Sequence, residues 1–199
     1  MLTLPTTHLA GSFKAMIATL LMGALFTSQH ALADITLEET LPDRINTELV
    51  MRINVDLGPS EDMGKGPDGH RVNYPITGGT FIGKGIQGVV VPGGADLSIM
   101  REDGTAILDA LYRLRTDDNQ IIIIHNQGIG RLNESGLEKQ ANGSTIAEME
   151  ADDIYTRTVP SFKTAHGEYD WLNDYIFVGA IDYPSDDQVI VSVYKVDGP

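Results

Sequence analysis

The chain has no cysteine among its 199 residues and few basic residues. The first absence excludes disulfide bonds, thiolate zinc sites and thiolate nucleophiles. The scarcity of basic residues gives the chain a strong negative charge, because 14 lysines and arginines against 28 acidic residues leave a net charge of −14. Such a charge repels nucleic acid and anionic lipid, whereas small neutral or cationic ligands remain compatible with it. We therefore predict no nucleic-acid partner.

Motifs for metals and cofactors are also missing. The histidines after the amino-terminal segment, His70, His125 and His166, form no H-x-H or H-x-x-x-H pair. There is no P-loop, no G-x-S-x-G and no H-E-x-x-H. A G-x-G-x-x-G occurs at residues 83–88, but a β-branched run and Pro-Gly-Gly follow it instead of a helix, which excludes a dinucleotide loop. We predict neither a metal nor a cofactor.

The first 33 residues have the features of a secretory signal peptide. They contain no acidic residue and one lysine, Lys14, and residues 15–26 are mostly apolar. Ala31-Leu32-Ala33 offers a cleavage site before Asp34. The apolar run, about a dozen residues, is shorter than the roughly 20 that span a bilayer. We predict that residues 1–33 are removed on export and that residues 34–199 form one periplasmic or secreted domain, free of the membrane.

Short strands separated by turn signals dominate the rest of the chain. The predicted strands cover residues 51–57, 80–82, 85–91, 97–100, 107–116, 120–125, 175–181 and 189–196. Residues 58–69 are interpreted as a long polar loop, and the capping-box pattern at 135–138 predicts one short helix on a connection. Glycines of the segment 78–96 supply strand bends and turns. The roughly ten-residue spacing predicts an all-β antiparallel barrel or sandwich.

Alternation along residues 110–116 indicates which side chains face inward. Leu111, Arg113 and Arg115 lie on one face, and the even-numbered residues lie on the other. The even-numbered face carries no charge, so we expect it to be the interior, with the Tyr112 hydroxyl inside. Residues 121–124 are apolar on both faces. Their outer face is expected to be covered by the helical segment or by a second subunit, which makes a homo-oligomer one of two alternatives.

Four motifs together resemble the DUF3237 (UPF0311) family over about residues 49–196. They are P-x-T-G-G-T-F at 75–81, P-G-G-A-D at 92–96, T-D-D at 116–118 and Y-x-W-L-N at 169–173. The resemblance implies a single antiparallel β-barrel with a central cavity, and it supplies no activity. Leu97 departs from the family, which commonly has tryptophan there, so one aromatic wall of the pocket is expected to be missing.

Two residues are candidates for catalysis. Asp96 follows Pro-Gly-Gly-Ala at a strand start, where it either caps turn amides or acts as a general base at the cavity mouth. Tyr112 either fills the core with a satisfied hydroxyl or donates to a ligand oxygen. In the catalytic alternative, Asp96 is the base and Tyr112 stabilises the oxyanion.

Six further residues are candidates for ligand binding, each with a structural alternative. Asn126 and Asn173 either orient a ligand from the barrel rim or cap loops. Arg71 and Arg157 either hold a ligand acid or enolate, or pair with carboxylates. Phe81 and Trp171 are expected as cavity walls, although a lone tryptophan also serves as a core plug.

The function predicted from these residues is an exported barrel that binds a small, partly apolar, oxygenated molecule. Cofactor-free acid–base chemistry, such as isomerisation, cyclisation or lyase-type cleavage, fits the inward polar set. Two alternatives remain: a carrier without chemistry, and a structural barrel filled by its own side chains.

Overall fold

The computed structural model describes residues 45–198, and within them nine strands form one antiparallel sheet. The strands are β1 (Asn46–Leu57), β2 (Glu61–Gly66), β3 (Gly69–Gly83), β4 (Ile86–Met100), β5 (Ala106–Thr116), β6 (Ile121–Leu132), β7 (Ile154–Thr164), β8 (Phe177–Ser185) and β9 (Gln188–Asp197). One helix, α1 (Glu134–Ala141), and short 3-10 turns at Ile146–Glu148 and Asp170–Asn173 lie on connections. The predicted leader, residues 1–33, lies outside the described residues.

Pairing of β1 with both β9 and β3 closes the sheet into a barrel. Eight strands, β1 and β3 to β9, form the wall, whereas β2 pairs with β3 as an extension of the sheet. Closure satisfies the strand edges that a sandwich would leave unpaired. The predicted all-β barrel with one short helix is confirmed.

One end of the barrel is filled by apolar side chains, and we call it the closed end. Phe162 and Phe177 pack edge-on there, with ring centroids 5.0 Å apart, and Trp171 packs 6.1 Å from Phe177. The connection between β7 and β8 carries Trp171 and the buried Leu172. At the opposite end, the open end, lie the β4–β5 and β8–β9 turns and α1.

The two-residue alternation of β5 has the predicted orientation. Tyr112 and Leu114 are buried, whereas Leu111, Arg113 and Arg115 are exposed. The pattern could be interpreted locally because adjacent residues of a strand point to opposite faces.

The predicted loop at residues 58–69 is wrong, because most of it belongs to the β2–β3 hairpin. Asp62 pairs with Val72 and Lys65 pairs with His70. Gly64 and Gly69 have φ values of 81° and 140°, which provide the bulge and the turn. The polar residues of this segment led to the prediction of a loop, but in the structure they form a two-stranded hairpin that is exposed to solvent.

Strand β7 was missed in the sequence, although its residues alternate regularly between buried and exposed. Pro160 obscured it, because proline lacks the N–H that an interior strand donates. The pairing between β7 and β8 is confined to Arg157 and Thr158, opposite Ala180 and Gly179. Pro160 thus lies where β7 pairs only with β6.

The helix does not cover the outer face of residues 121–124. Ile121 and Ile123 remain 45% and 41% exposed. Helix α1 begins after its N-cap Asn133, beyond the other end of β6, where its Gly136 lies close to Leu132. The helical alternative is therefore wrong, and the second subunit stays a prediction. None of the helices among residues 45–198 has the length and apolar character to cross a bilayer.

Candidate functional site

A cavity of about 470 Å³ occupies the open end of the barrel. Leu137, Gln140 and Ile146, from α1 and the following 3-10 turn, help to cover it. Its wall is mostly apolar and includes Val55, Leu57, Val72, Ile76, Leu108, Ala110, Ile181, Val189 and Val191. This volume falls within the range of about 300–1,000 Å³ typical of pockets for small organic molecules. The central cavity implied by the family resemblance is therefore present.

Six polar residues of the strands lie together in this mostly apolar wall, and we call them the polar belt. They are Tyr74, Asp96, Ser98, Tyr112, Asn126 and Tyr183. Strand register explains the arrangement, because Asp96 of β4 lies opposite Tyr74 of β3 and opposite Ala110 of β5. Ala110 in turn lies opposite Asn126 of β6. The belt therefore combines residues far apart in the sequence.

Asp96 is the one acidic member of the polar belt. Its Oδ1 accepts hydrogen bonds from the Ser98 hydroxyl and from the backbone N–H of Asp109, both at 3.0 Å. Burial raises its pKa above the usual range, the two hydrogen bonds oppose that shift, and the nearby Asp109 charge adds to it. Both bonds use Oδ1, so Oδ2 has no hydrogen bond from residues 45–198 and is available to a ligand.

Tyr112 is 3% exposed, and its hydroxyl has no hydrogen-bond partner among the described residues. Burial raises its pKa, and the charge of Asp96 raises it further. The hydroxyl therefore stays neutral at physiological pH and can donate a hydrogen bond. Burial and the Asp96 charge also raise the pKa of Tyr74 and Tyr183. Tyr183, unlike Tyr112, has a partner in the Thr156 hydroxyl at 3.3 Å.

Glycine at position 94 permits Tyr112 to lie where it does. A Cβ atom on Gly94 would lie 2.4 Å from the Tyr112 Cβ and 2.9 Å from the Leu111 carbonyl oxygen. Any side chain there would force β4 away from β5. This contact gives the glycine-rich segment a direct role in shaping the cavity wall.

Asn126 lies in the cavity wall in the middle of β6, not at the barrel rim where it was expected, and its role as a ligand-orienting amide stays a prediction. It is 3% exposed, and its Oδ1 has no partner among residues 45–198. A buried polar atom without a partner costs about 1–3 kcal/mol, which a ligand donor could offset. Asp96, Tyr112 and Asn126 are thus the three predicted site residues that the fold brings together.

The two arginines predicted to bind the ligand lie outside the cavity. Arg71 is exposed and pairs with Asp68 at 2.7 Å. Arg157 faces outward on β7, donates to the Thr156 carbonyl at 2.7 Å and lies 5.3 Å from the centre of the Tyr155 ring. Strand alternation is the reason, since the neighbours of Arg157 point inward.

The other three predicted ligand contacts also lie elsewhere. The side chain of Asn173 bonds the backbone N–H and carbonyl of Thr164, at 3.0 and 3.2 Å, which is the loop-capping alternative. Phe81 and Trp171 pack with the apolar core rather than around the cavity. Apolar side chains of the barrel wall and of α1 take the place predicted for the two aromatic residues.

Sequence reasoning missed Tyr74, Ser98 and Tyr183. Ser98 had a signal, because it lies two residues after Asp96 on the same strand face. Tyr74 and Tyr183 had none, because their proximity to Asp96 depends on register and barrel closure. No three histidine, aspartate or glutamate side chains among residues 45–198 form a group that could hold a metal ion.

The fold and the cavity define a class: small antiparallel β-barrels with an internal pocket, here with the partly buried Asp96 in its polar belt. The chain belongs to the family described as a protein of unknown function, DUF3237, whose model matches residues 45–196. A UPF0311 protein of Rhodopseudomonas palustris is 35% identical over 152 residues, which is 76% of this chain and 97% of the relative. A UPF0311 protein of Clostridium acetobutylicum is 34% identical, covering 64% of this chain and 78% of that protein.

Solved structures have the same barrel. A conserved protein of unknown function from Rhodopseudomonas palustris matches with a TM-score of 0.70 and 34% identity, over 77% of this chain and 99% of that one. A β-barrel-like protein of Acinetobacter baumannii matches with a TM-score of 0.68 and 32% identity, over 78% and 98%. An enzyme of Penicillium herquei shares the fold at 20% identity, with a TM-score of 0.59 and coverage of 82% and 100%.

Proposed function

We propose that this protein binds a small, partly apolar, oxygenated molecule in the cavity and catalyses cofactor-free acid–base chemistry on it. One observation carries the proposal. A partly buried carboxylate with a raised pKa, Asp96, lies beside the fully buried Tyr112, whose hydroxyl has no partner among the described residues. This combination of a base and an unused donor in a mostly apolar pocket suits proton transfer next to a carbonyl group.

The proposed reaction begins with removal of a proton from the carbon next to a ligand carbonyl. Asp96 takes the proton, and the electron pair of the broken C–H bond moves to the carbonyl oxygen. Tyr112 donates a hydrogen bond to that oxygen as it becomes negative. Return of the proton to another carbon completes an isomerisation, whereas loss of a neighbouring leaving group completes a lyase reaction. The raised pKa makes the Asp96 carboxylate a stronger base.

Deuterium incorporation into β-tetralone, a neutral ketone with acidic C–H bonds, tests the proposal. We expect the wild-type protein to accelerate exchange in D₂O, followed by NMR. Asp96→Asn should lower the accelerated rate by about 10²–10⁴-fold. Tyr112→Phe should lower it by about 10²–10³-fold. Asp182→Asn is the matched control, because Asp182 is exposed on β8.

Exchange that is unchanged in both Asp96→Asn and Tyr112→Phe would refute the catalytic roles. Binding of β-tetralone without any acceleration would favour the carrier. The Penicillium herquei protein, which is described as an enzyme, is an example of a barrel of this fold with catalytic activity. Its support for catalysis by the present protein extends no further than the shared fold. Native mass spectrometry of protein purified from its own cells would identify a ligand that remains bound.

We also propose that the protein is exported. The support is the basic, apolar amino-terminal segment with Ala31-Leu32-Ala33 before Asp34, all of it ahead of the family match that begins at residue 45. Cell fractionation with mass measurement of the purified protein is the test. We expect a periplasmic or secreted chain that begins at Asp34, and a cytoplasmic chain of full length would contradict the proposal.

A further inference from the structure

We infer that the cavity takes an uncharged ligand whose polar end is an enol or phenol hydroxyl, and that it rejects anions. This inference rests on the proposed function for the location of the site. It adds the chemical class of the molecule and the group that contacts Asp96 and Tyr112.

The charges around the cavity supply the first step. Three charged residues line it: Asp96, Arg131 and Asp186. Asp186 is exposed in the β8–β9 turn, and the exposed Arg131 places its guanidinium 5.9 Å from the centre of the Tyr155 ring, on the outer face of the wall. Asp96 is thus the charge of the interior. An anion that reached Asp96 would meet a carboxylate in a mostly apolar wall, and the one cation that residues 45–198 contribute to the lining, Arg131, places its guanidinium over the Tyr155 ring.

The reach of the Asp96 charge supplies the second step. It raises the pKa of Tyr74, of Tyr112 and of Tyr183, which belong to three different strands. The negative charge of Asp96 therefore acts on three other members of the polar belt. A ligand carboxylate, sulfate or phosphate would be repelled wherever it lay along the belt.

Hydrogen bonding supplies the third step and selects a hydroxyl among uncharged groups. Asp96 Oδ2 accepts no hydrogen bond from the described residues, and the Tyr112 hydroxyl has no partner there. Asp96 lies opposite Ala110, so Tyr112 is its diagonal neighbour on the same face, about 7–8 Å away between Cα atoms. One ligand hydroxyl can donate to Asp96 and accept from Tyr112.

An ammonium group is less suitable, although its charge is compatible with Asp96. It has donors only, so the Tyr112 proton would remain without an acceptor in the complex. An enol or phenol hydroxyl satisfies both side chains, and an enol is the protonated form of the enolate that the proposed reaction produces. The same two residues thus account for binding and for chemistry.

Three probes of equal ring size test the inference by isothermal titration calorimetry at pH 7. They are β-naphthol, which has the hydroxyl, its methyl ether, which lacks the donor, and β-naphthoate, which is an anion. We expect the wild-type protein to bind β-naphthol about tenfold or more tightly than either of the other two. The comparison needs no variant, so it does not depend on whether a mutant folds.

Two variants identify the groups responsible. Asp96→Asn should reduce the discrimination against β-naphthoate by about tenfold, because it removes the interior charge. Asp174→Asn removes an equal charge from an exposed position at the closed end and should leave the discrimination unchanged. Tyr112→Phe should weaken β-naphthol and leave the difference between the methyl ether and β-naphthoate unaltered.

The outcomes separate this inference from the proposed function. Equal affinity for β-naphthol and β-naphthoate, or for β-naphthol and its ether, would overturn the ligand class even if β-tetralone exchange is catalysed. Failure of all three probes to bind would overturn it as well. Selective binding of β-naphthol without any exchange of β-tetralone would support the ligand class and remove the catalytic step.

Discussion

Replacing Tyr112 by phenylalanine is predicted to stabilise the free protein, although it removes a polar group from the proposed site. The Tyr112 hydroxyl is buried and has no hydrogen-bond partner among the described residues. A buried polar group without a partner costs about 1–3 kcal/mol relative to an apolar replacement of the same shape. Phenylalanine keeps the ring and its contacts with the barrel interior. We therefore expect the free energy of unfolding to rise by about 1–2 kcal/mol.

The expected change is large enough to measure by thermal unfolding. For a domain of about 150 residues, 1 kcal/mol corresponds to about 2–4 °C in Tm. Tyr112→Phe should therefore raise Tm by about 2–8 °C in calorimetry at pH 7, in the absence of ligand. The raised pKa keeps the wild-type hydroxyl protonated there, so ionisation does not enter the comparison.

Tyr183→Phe is the matched control, because the Tyr183 hydroxyl lies 3.3 Å from its partner Thr156. Losing that hydrogen bond should lower the free energy of unfolding by about 0.5–1.5 kcal/mol. The two variants thus make the same chemical change and should shift Tm in opposite directions. A Tm for Tyr112→Phe that falls as far as that for Tyr183→Phe would refute the reasoning, since it would show that the Tyr112 hydroxyl is satisfied in the free protein.

Three further perturbations test the site and its surroundings. Asp96→Asn should raise the free energy of unfolding at pH 7, because burial disfavours the charged carboxylate. Because the pKa of Asp96 is raised in the folded protein, wild-type stability falls as pH rises above 3.8. The stability that Asp96→Asn gains over wild type should therefore shrink toward pH 4 in paired thermal unfolding scans. A gain that does not change with pH would show that the Asp96 charge is not its cause. Lys139 and hydrogen bonds from Ser135 and Glu150 lower the pKa of Asp153 to about 2. At pH 7, Asp153→Asn should therefore lower the protection of backbone amides against hydrogen exchange in Glu134–Ala141 but not in β5. Wild type should lose the same protection, measured against the intrinsic exchange rate at each pH, as pH falls from 3.8 towards 2. Gly94→Ala should lower the free energy of unfolding by about 2–4 kcal/mol in urea, because the new Cβ would clash with Tyr112. Gly78→Ala, whose Cβ would meet no atom closer than 3.8 Å, should lower it far less. Equal losses would show that Gly94 is not required for the position of Tyr112.

Local patterns predicted individual orientations well. The alternation along β5 placed Tyr112 inside and Arg113 outside, and both positions are as expected. The same rule would have placed Arg157 outside, but Pro160 concealed the strand to which it belongs. The prediction that Arg157 faces the cavity was therefore wrong because strand β7 was missed, and not because the alternation rule failed.

Distances along the barrel were harder to anticipate. Phe81 and Asp96 mark the two ends of one glycine-rich segment and were both expected at the cavity. Phe81 pairs with Gly88 near the β3–β4 turn, whereas Asp96 pairs with Tyr74 eight residues further along β4. At about 3.3 Å per residue, that separation places them toward opposite ends of the barrel.

The sequence by itself determined most of the strands, though not β2 or β7. It also determined the inward face of β5, the resemblance to DUF3237 and the two members of the polar belt that were proposed for catalysis, Asp96 and Tyr112. Each of these depends on residue type and on spacing within one short segment. Only the tertiary structure decided which inward side chains share the cavity. Register across β3 to β6 and closure of β1 onto β3 and β9 bring Tyr74, Asn126 and Tyr183 to the same end as Asp96. Such long-range pairing is a property of the whole barrel, so no local pattern records it.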